Sequence, residues 1–139
     1  MATEQEIGRN LTLIEYYKEQ LNTIDMQLQM LHAAIADVYK AKMTVESLGK
    51  TTEKSEVLIP VGGGVYVHGS IGDSSKVLVG VGADVVVEKT SEDAVKKIDE
   101  RIQSLKESQQ KLVQMAQKLE TEATELSETT QKMIDESKM

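Results

Sequence analysis

Two histidines, His32 and His68, are the only imidazoles in the chain, and imidazole is the side chain best suited to moving protons near neutral pH. Each stands alone. They lie in different segments, and neither is surrounded by the carboxylate–histidine spacing of a metal site. His32 falls on the flank of a helical stretch, and His68 sits in a strand-like run, as a surface or interface residue. The stretch Gly80-Val81-Gly82-Ala83-Asp84-Val85 begins like a G-x-G-x-x-G phosphate loop but lacks the third glycine and leads into a strand. No G-x-x-x-x-G-K-[ST] run occurs, so the lysine and hydroxyl that a phosphate and its Mg²⁺ require are missing. Ser and Thr are plentiful in the long flanking segments, but extended helices offer no concave pocket. Glu120, Glu122, Glu125 and Glu128 fit a solvated helix face. With no cysteine there is no thiolate or disulfide chemistry. The expectation is a chain with no catalytic residue, no cofactor and no metal site, and therefore not an enzyme.

The totals narrow the class further. The 139 residues contain no Phe and no Trp, and the aromatic residues are four Tyr. Aromatic side chains normally supply much of a globular core, yet 40% of the chain is hydrophobic, so burial must come through narrow seams or through partners. The net charge of −7 argues against nucleic acid, whose phosphates attract basic surfaces, and against an anionic membrane surface. MATEQEIGRN has no basic region followed by an apolar run, so it is no secretory signal. The one apolar-rich stretch is broken by Gly, Pro and charges and cannot span a membrane. A soluble cytoplasmic protein is expected.

Two long arms must position whatever the chain does. Steps of three and four residues pick out Ile7, Asn10, Ile14, Tyr17, Leu21, Ile24, Leu28, Leu31, Ile35, Val38, Lys42 and Val45, all apolar except Asn10 and Lys42. The second arm repeats this at Val95, Ile98, Ile102, Leu105, Gln109, Leu112, Ala116, Leu119, Ala123, Leu126, Thr130 and Met133. A mean spacing of 3.5 keeps such a seam facing a partner helix. Thr3-Glu4-Gln5-Glu6 resembles a capping box, Gly49 stands where a C′ glycine ends a helix, and Ser91 is the candidate N-cap of the second arm. Equal repeats about a central insert predict an antiparallel hairpin in which residue i lies near residue 140 − i. Each arm would be about 60 Å long at ~1.5 Å per residue. The competing reading is a compact helical bundle whose core is the same stripe, but the stripe is narrow and charges crowd the other positions.

The seam weakens toward the free ends, where Ala116, Ala123 and Thr130 replace larger residues and bury less apolar area. Leu11, Leu13 and Ile134 add apolar groups off the seam there, with Met1, Met133 and Met139 nearby. Soft, mobile apolar groups suit a binder that accepts many partners. Frayed termini are the alternative.

Between the arms lies VLIPVGGGVYVHGSIGDSSKVLVGVGADVVVEK, from Val57 to Lys89. Its β-branched runs are punctuated by Gly, Asp and Ser clusters, which predicts four strands, Val57–Val61, Val65–Ile71, Lys76–Val81 and Val85–Glu88, in two consecutive hairpins. Four short strands are too few to close a barrel, which takes about eight. Valine-rich open edges invite pairing with another chain, and Pro60 blunts one edge because it has no N–H. The patch therefore reads as the place where chains join. Its assembly residues are Val57, Leu58, Ile59, Val61, Val65, Val67, Val77, Val79, Val81, Val85 and Val87.

Three runs carry a resemblance to a known family: Leu58-Ile59-Pro60-Val61-Gly62-Gly63-Gly64-Val65-Tyr66, Lys76-Val77-Leu78-Val79-Gly80-Val81-Gly82, and Val85-Val86-Val87-Glu88-Lys89. Set between two long helices, they resemble an alpha-class subunit of prefoldin, and the short, simple sequence is similar to the archaeal type. Four predicted strands match the alpha class, since the beta class has a single hairpin. The resemblance covers almost the whole chain. It implies an α+β fold, a long antiparallel coiled-coil hairpin with two central β-hairpins that assemble into an intersubunit β-barrel. The whole chain, 1–139, would be one domain, with arms 1–49 and 91–139 around an assembly region 57–89. It also implies an ATP-independent chaperone subunit in a hexamer of two alpha and four beta-class subunits. Such a complex captures non-native polypeptide clients at the coiled-coil tips and passes them to a group II chaperonin. Carried over by position and apolarity, the client-binding tips are Ile7, Leu11, Leu13, Ile14, Leu126, Met133 and Ile134. Two rivals remain from the residues alone. One is a structural coiled-coil tether that assembles through its β patch without binding clients. The other is a nucleotide-dependent enzyme, which would need a pocket the pattern does not offer.

Overall fold

The structure, a computed structural model, describes residues 3–50 and 55–138. Along the chain run α1 (Glu4–Leu48), β1 (Glu56–Gly62), β2 (Val65–Ser70), β3 (Lys76–Gly82), β4 (Val85–Thr90) and α2 (Ser91–Ser137). Met1 and Met139, expected among the apolar free ends, lie outside the described residues. The fold divides into two units to which both helices contribute.

One unit holds the described residues up to Ala34 and from Leu105 onward. Here α1 and α2 lie antiparallel along a single seam. Asn10 Nδ2 lies 3.5 Å from the sulfur of Met133, and His32 Nδ1 lies 3.4 Å from Gln109 Nε2. Glu122 lies near enough to the Tyr17 hydroxyl to raise its pKa. These pairs fall within three residues of the i to 140 − i rule. Ile24 and Thr130 are buried, and the other seam residues are half-buried. Such a stripe is all that two helices can bury between them, which is why the absence of Phe and Trp is tolerated.

The second unit, Ile35–Ser104, contains the other part of the seam and both hairpins. Lys42 Nζ reaches Asp99 Oδ1 at 2.8 Å, again in antiparallel register. Ala94, Ile98 and Ile102 are buried. Helix α1 starts as expected: the Glu6 amide donates to Thr3 Oγ1 at 3.2 Å. It stops at Leu48, but Gly49 does not take a left-handed conformation. The amides of Gly49 and Lys50 instead donate to the Val45 and Ser47 carbonyls, tightening the last turn. The cap of α2 also differs from the expectation. Thr90 Oγ1 accepts from the Asp93 amide, so Thr90 is the N-cap rather than Ser91. Ser91 is committed elsewhere: its amide donates to the Ser75 carbonyl and its hydroxyl to the Ser74 carbonyl.

The four strands form two separate two-stranded antiparallel sheets, β1–β2 and β3–β4. Their bounds differ from the expected ones by at most two residues. β4 runs on to Thr90 because the strand passes straight into the cap of α2. Both hairpins are built alike. Pro60 opposes Tyr66 and Gly62 opposes Val65, leaving Val61 as a bulge; Gly80 opposes Val86 and Gly82 opposes Val85, leaving Val81 as a bulge. The tight turns are Gly63-Gly64 (φ +59° and +76°) and Ala83-Asp84 (φ +50° and +61°). Positive φ at both central residues is the turn whose twist matches a right-handed hairpin. Glycine adopts it freely in the first hairpin, whereas Ala83 adopts it at a steric cost in the second. The two hairpins are thus copies of one motif offset by 20 residues, a repeat that the sequence reading did not isolate.

Candidate functional site

Cross-strand partners share a face, so each hairpin has two describable surfaces. In the first hairpin, Val57, Ile59, Val67 and Gly69 lie on one face and Leu58, Pro60, Tyr66 and His68 on the other. In the second, Val77, Val79, Val87 and Lys89 oppose Leu78, Gly80, Val86 and Glu88. Both faces of both hairpins are therefore largely apolar. Val57, Val77 and Val79 are half-buried; Leu58, Ile59, Val61, Val65, Val67, Val81, Val85 and Val87 are exposed. Three further exposed residues belong with this set and were missed in the sequence: Tyr66 at 59%, Leu78 at 73% and Val86 at 56%. Their signal was there, since alternation places them on the second face once both faces are allowed to be apolar. A two-stranded hairpin is marginal alone, and strands apolar on both faces are those that become covered on both.

Within the first hairpin, Gly69 makes room for a neighbour. A Cβ there would lie 2.7 Å from Ile59 Cδ1, so the isoleucine lies across the glycine. The link from β2 to β3 is held by Asp73, whose carboxylate accepts from the Ser75 hydroxyl at 2.5 Å and the Ser75 amide at 3.0 Å. Those two bonds, the hydroxyl first, hold its pKa below the usual carboxylate value. At the seam, Asp99 hydrogen-bonds Lys42 and raises the lysine pKa. Burial, followed by the charge and hydrogen bond of Glu122, raises that of Tyr17.

A second candidate surface lies near the start of α1 and the end of α2. Of the expected tip residues, Ile7, Ile14, Leu126, Met133 and Ile134 are half-buried, while Leu11 and Leu13 are 48% and 41% exposed. Tyr16, at 52% exposed, extends the pair, and its ring centroid lies 6.2 Å from that of Tyr17. Gly8, Thr12, Leu13 and Tyr16 line a shallow open hollow there. Tyr16 lies off the 3.5-residue seam, as Leu11 and Leu13 do, and was not among the expected tip residues.

The residues with catalytic potential do not converge. His32 meets only a glutamine across the seam, and His68 sits opposite Leu58 in the first hairpin. Among the described residues no group of three or more His, Cys, Asp or Glu is placed to hold a metal ion. Among them, too, no helix is long and apolar enough to cross a membrane. The expectation of no concave surface is corrected: an open cavity of about 660 Å³ is lined in part by Val45, Gly49, Ser75, Thr90 and Val95. It is bounded by the last turn of α1, the β2–β3 link and the first turn of α2. Glu46, Lys50, Ser91, Glu92 and Lys96 complete its lining.

Comparison with known proteins agrees with this geometry. The family model described as Prefoldin subunit matches residues 17–136. The prefoldin subunit alpha of Methanoculleus marisnigri is 32% identical over 126 residues, which cover 91% of this chain and 84% of its own length. That of Methanosarcina mazei is 31% identical over 137 residues, covering 91% and 96%. Among solved structures, a chain of filamentous PFD from Methanocaldococcus jannaschii, determined by cryo-EM, superposes with a TM-score of 0.61 at 28% identity. That match covers 88% of this chain and 96% of the other. The prefoldin beta subunit from Thermococcus strain KS-1 also gives 0.61, over 94% and 93% of the two chains, with 20% identity, a likeness of fold alone.

Proposed function

The chain belongs to the prefoldin family, with the role of a chaperone subunit, and on that premise we propose that it is an alpha-class subunit of an ATP-independent holdase working in the cytoplasm. Its two hairpins join those of beta-class subunits in an intersubunit β-barrel, as two alpha and four beta subunits. The arms hold non-native polypeptides for transfer to a group II chaperonin. The observation that carries this reading is the pair of hairpins that are apolar on both faces and, among the described residues, two-stranded. Such a surface requires other chains to cover it.

The client contacts follow from the second surface. An unfolded chain exposes apolar groups in no fixed shape, so a rigid complementary pocket would be of little use. Leu11, Leu13 and Tyr16 present exposed apolar area on a helix. Half-buried Ile7, Ile14, Leu126, Met133 and Ile134 contribute if the seam opens locally. Weak contacts on several arms combine through multivalency, and each remains weak enough to let go without nucleotide hydrolysis. The net charge of −7 keeps the arms solvated and apart.

The test is dilution of a chemically unfolded protein into nucleotide-free buffer. Its light scattering is followed with the chain alone and with a beta-class partner, and assembled mass is measured in parallel. Suppressed scattering by a complex of hexameric mass is expected. A stable assembly that leaves aggregation unchanged would make the protein a structural tether.

A further inference from the structure

Five exposed residues near the start of α1 form one shallow dish, lined by Gly8, Arg9, Thr12, Leu13 and Tyr16. Gly8, Thr12 and Tyr16 follow one another at steps of four, as do Arg9 and Leu13, so all five share one helix face. That face is not the seam, which runs through Ile7, Asn10, Ile14 and Tyr17. Gly8 makes the floor. A Cβ placed there would meet nothing within 4 Å, so no packing among the described residues calls for a glycine. Its φ is not left-handed either, and inside a helix glycine is disfavoured relative to alanine. The Thr12 hydroxyl donates to the Gly8 carbonyl at 3.0 Å, which ties the polar end of that side chain to the helix backbone. Leu13 and Tyr16, 41% and 52% exposed, are the apolar walls.

Arg9 is the one charged residue of the lining. Among the described residues its guanidinium makes no ion pair, even with Glu6 three residues before it. The chain as a whole carries −7, a charge that repels acidic segments of any polypeptide it meets. At the dish that repulsion is reversed locally. A guanidinium stacks on aromatic faces and pairs with a carboxylate through a planar fork of donors. The Tyr16 ring beside it gains from an offset or edge contact with a second ring. A flat ring can also lie close to the backbone where residue 8 has no side chain. A leucine would cover the same floor but gain neither the ring contact nor the guanidinium.

We propose that this dish is a subsite for one aromatic side chain of a non-native polypeptide that has a carboxylate next to it in sequence. The ring lies over Gly8 against Leu13 and Tyr16, and the neighbouring carboxylate pairs with Arg9. This rests on the reading that the free ends of the arms hold clients, and it adds a preference to that reading. Leu11 supplies apolar area outside the dish and serves any apolar segment. The dish selects the acidic aromatic segments that the net charge of the chain would otherwise turn away.

The experiment uses the complex with a beta-class partner, with only the present chain isotope-labelled for NMR. The probes are Ser/Gly peptides carrying one central Phe-Asp, Phe-Lys or Leu-Asp pair. They are titrated at low salt without nucleotide and read from the amide shifts of residues 8 and 16, and an unfolded protein is titrated in parallel. The Phe-Asp peptide is expected to bind at least threefold more tightly than the other two. Arg9→Gln should erase its margin over Phe-Lys, and Arg9→Glu should reverse it. Gly8→Gln fills the floor with a residue that helices favour. It should weaken Phe-Asp binding at least threefold while the thermal midpoint stays at or above the parent's, which separates occupancy of the dish from damage to the helix. Equal affinity of the parent for Phe-Asp and Phe-Lys, or parental Phe-Asp binding in Gly8→Gln, would overturn the subsite. Shifts centred away from the dish would do the same. Failure of the parent to hold the unfolded protein overturns the reading of the free ends instead, and the subsite is then judged from the peptides alone.

Discussion

Replacing Leu11 and Leu13 together by serine isolates client binding from folding. Both side chains lie off the seam and are 48% and 41% exposed, so their removal leaves the helix pairing in place. Fully burying a leucine side chain stabilises by about 1.5–3 kcal/mol. Scaled by the exposed fractions, a client that covers both residues gains roughly 0.7–1.4 kcal/mol from Leu11 and roughly 0.6–1.2 from Leu13. The sum is about 1.3–2.6 kcal/mol, and with tenfold per ~1.4 kcal/mol the double variant should bind about 10- to 70-fold more weakly. That range is a ceiling for the assembled complex, because the other arms continue to hold the client. The assay is the Kd for a fluorescently labelled, permanently unfolded protein without nucleotide, with thermal midpoint and assembled mass measured on the same samples. Met30→Ser/Met43→Ser is the control. Those residues are 72% and 69% exposed but lie outside the proposed client set, and their loss should leave Kd within about twofold of the parent. An unchanged Kd in a Leu11→Ser/Leu13→Ser complex with parental mass and midpoint would refute the assignment. An equal loss in the methionine control would show that exposed apolar area anywhere on α1 serves, and position does not.

Three further outcomes follow from the geometry. Ile102→Ala empties one of the most buried seam positions, at 5% exposure; it should lower stability by about 2–5 kcal/mol, read from chemical denaturation at 222 nm. Ala83→Gly relieves a left-handed alanine, offset by added freedom in the unfolded chain; a net gain of up to about 1 kcal/mol is expected, and a clear loss would mean that the turn relaxes in solution. The lowered pKa of Asp73 comes from bonds made only in the folded link, so its contribution is complete above about pH 4 and fades as pH falls through the folded value. Hydrogen exchange at the Ser75 amide should rise, relative to the hairpin amides, at that low pH, and Asp73→Asn should remove the extra pH dependence.

The sequence by itself determined the helices, the strands and the seam. All the seam positions chosen by the 3.5-residue repeat are buried or half-buried, because two helices can share only one narrow stripe and periodicity alone specifies it. The strand runs were equally legible, since valine-rich segments cut by glycine and aspartate leave little choice of turn. Tertiary structure decided what depends on groups distant in sequence or on main-chain phase. Thr90 replaces Ser91 as the cap because Ser91 is drawn back to Ser74 and Ser75, a contact that no capping preference encodes. Leu11 and Leu13 stand exposed while the other proposed tip residues are half-buried; the composition of the helix end could not separate them, since an apolar side chain reads the same in either place. The contact of the Arg101 guanidinium with the Gly80 carbonyl joins residues 21 positions apart and depends on which main-chain groups the hairpin ladder leaves free. That choice is fixed by hydrogen bonds between main-chain groups, which every residue carries and which leave no mark on the order of side chains.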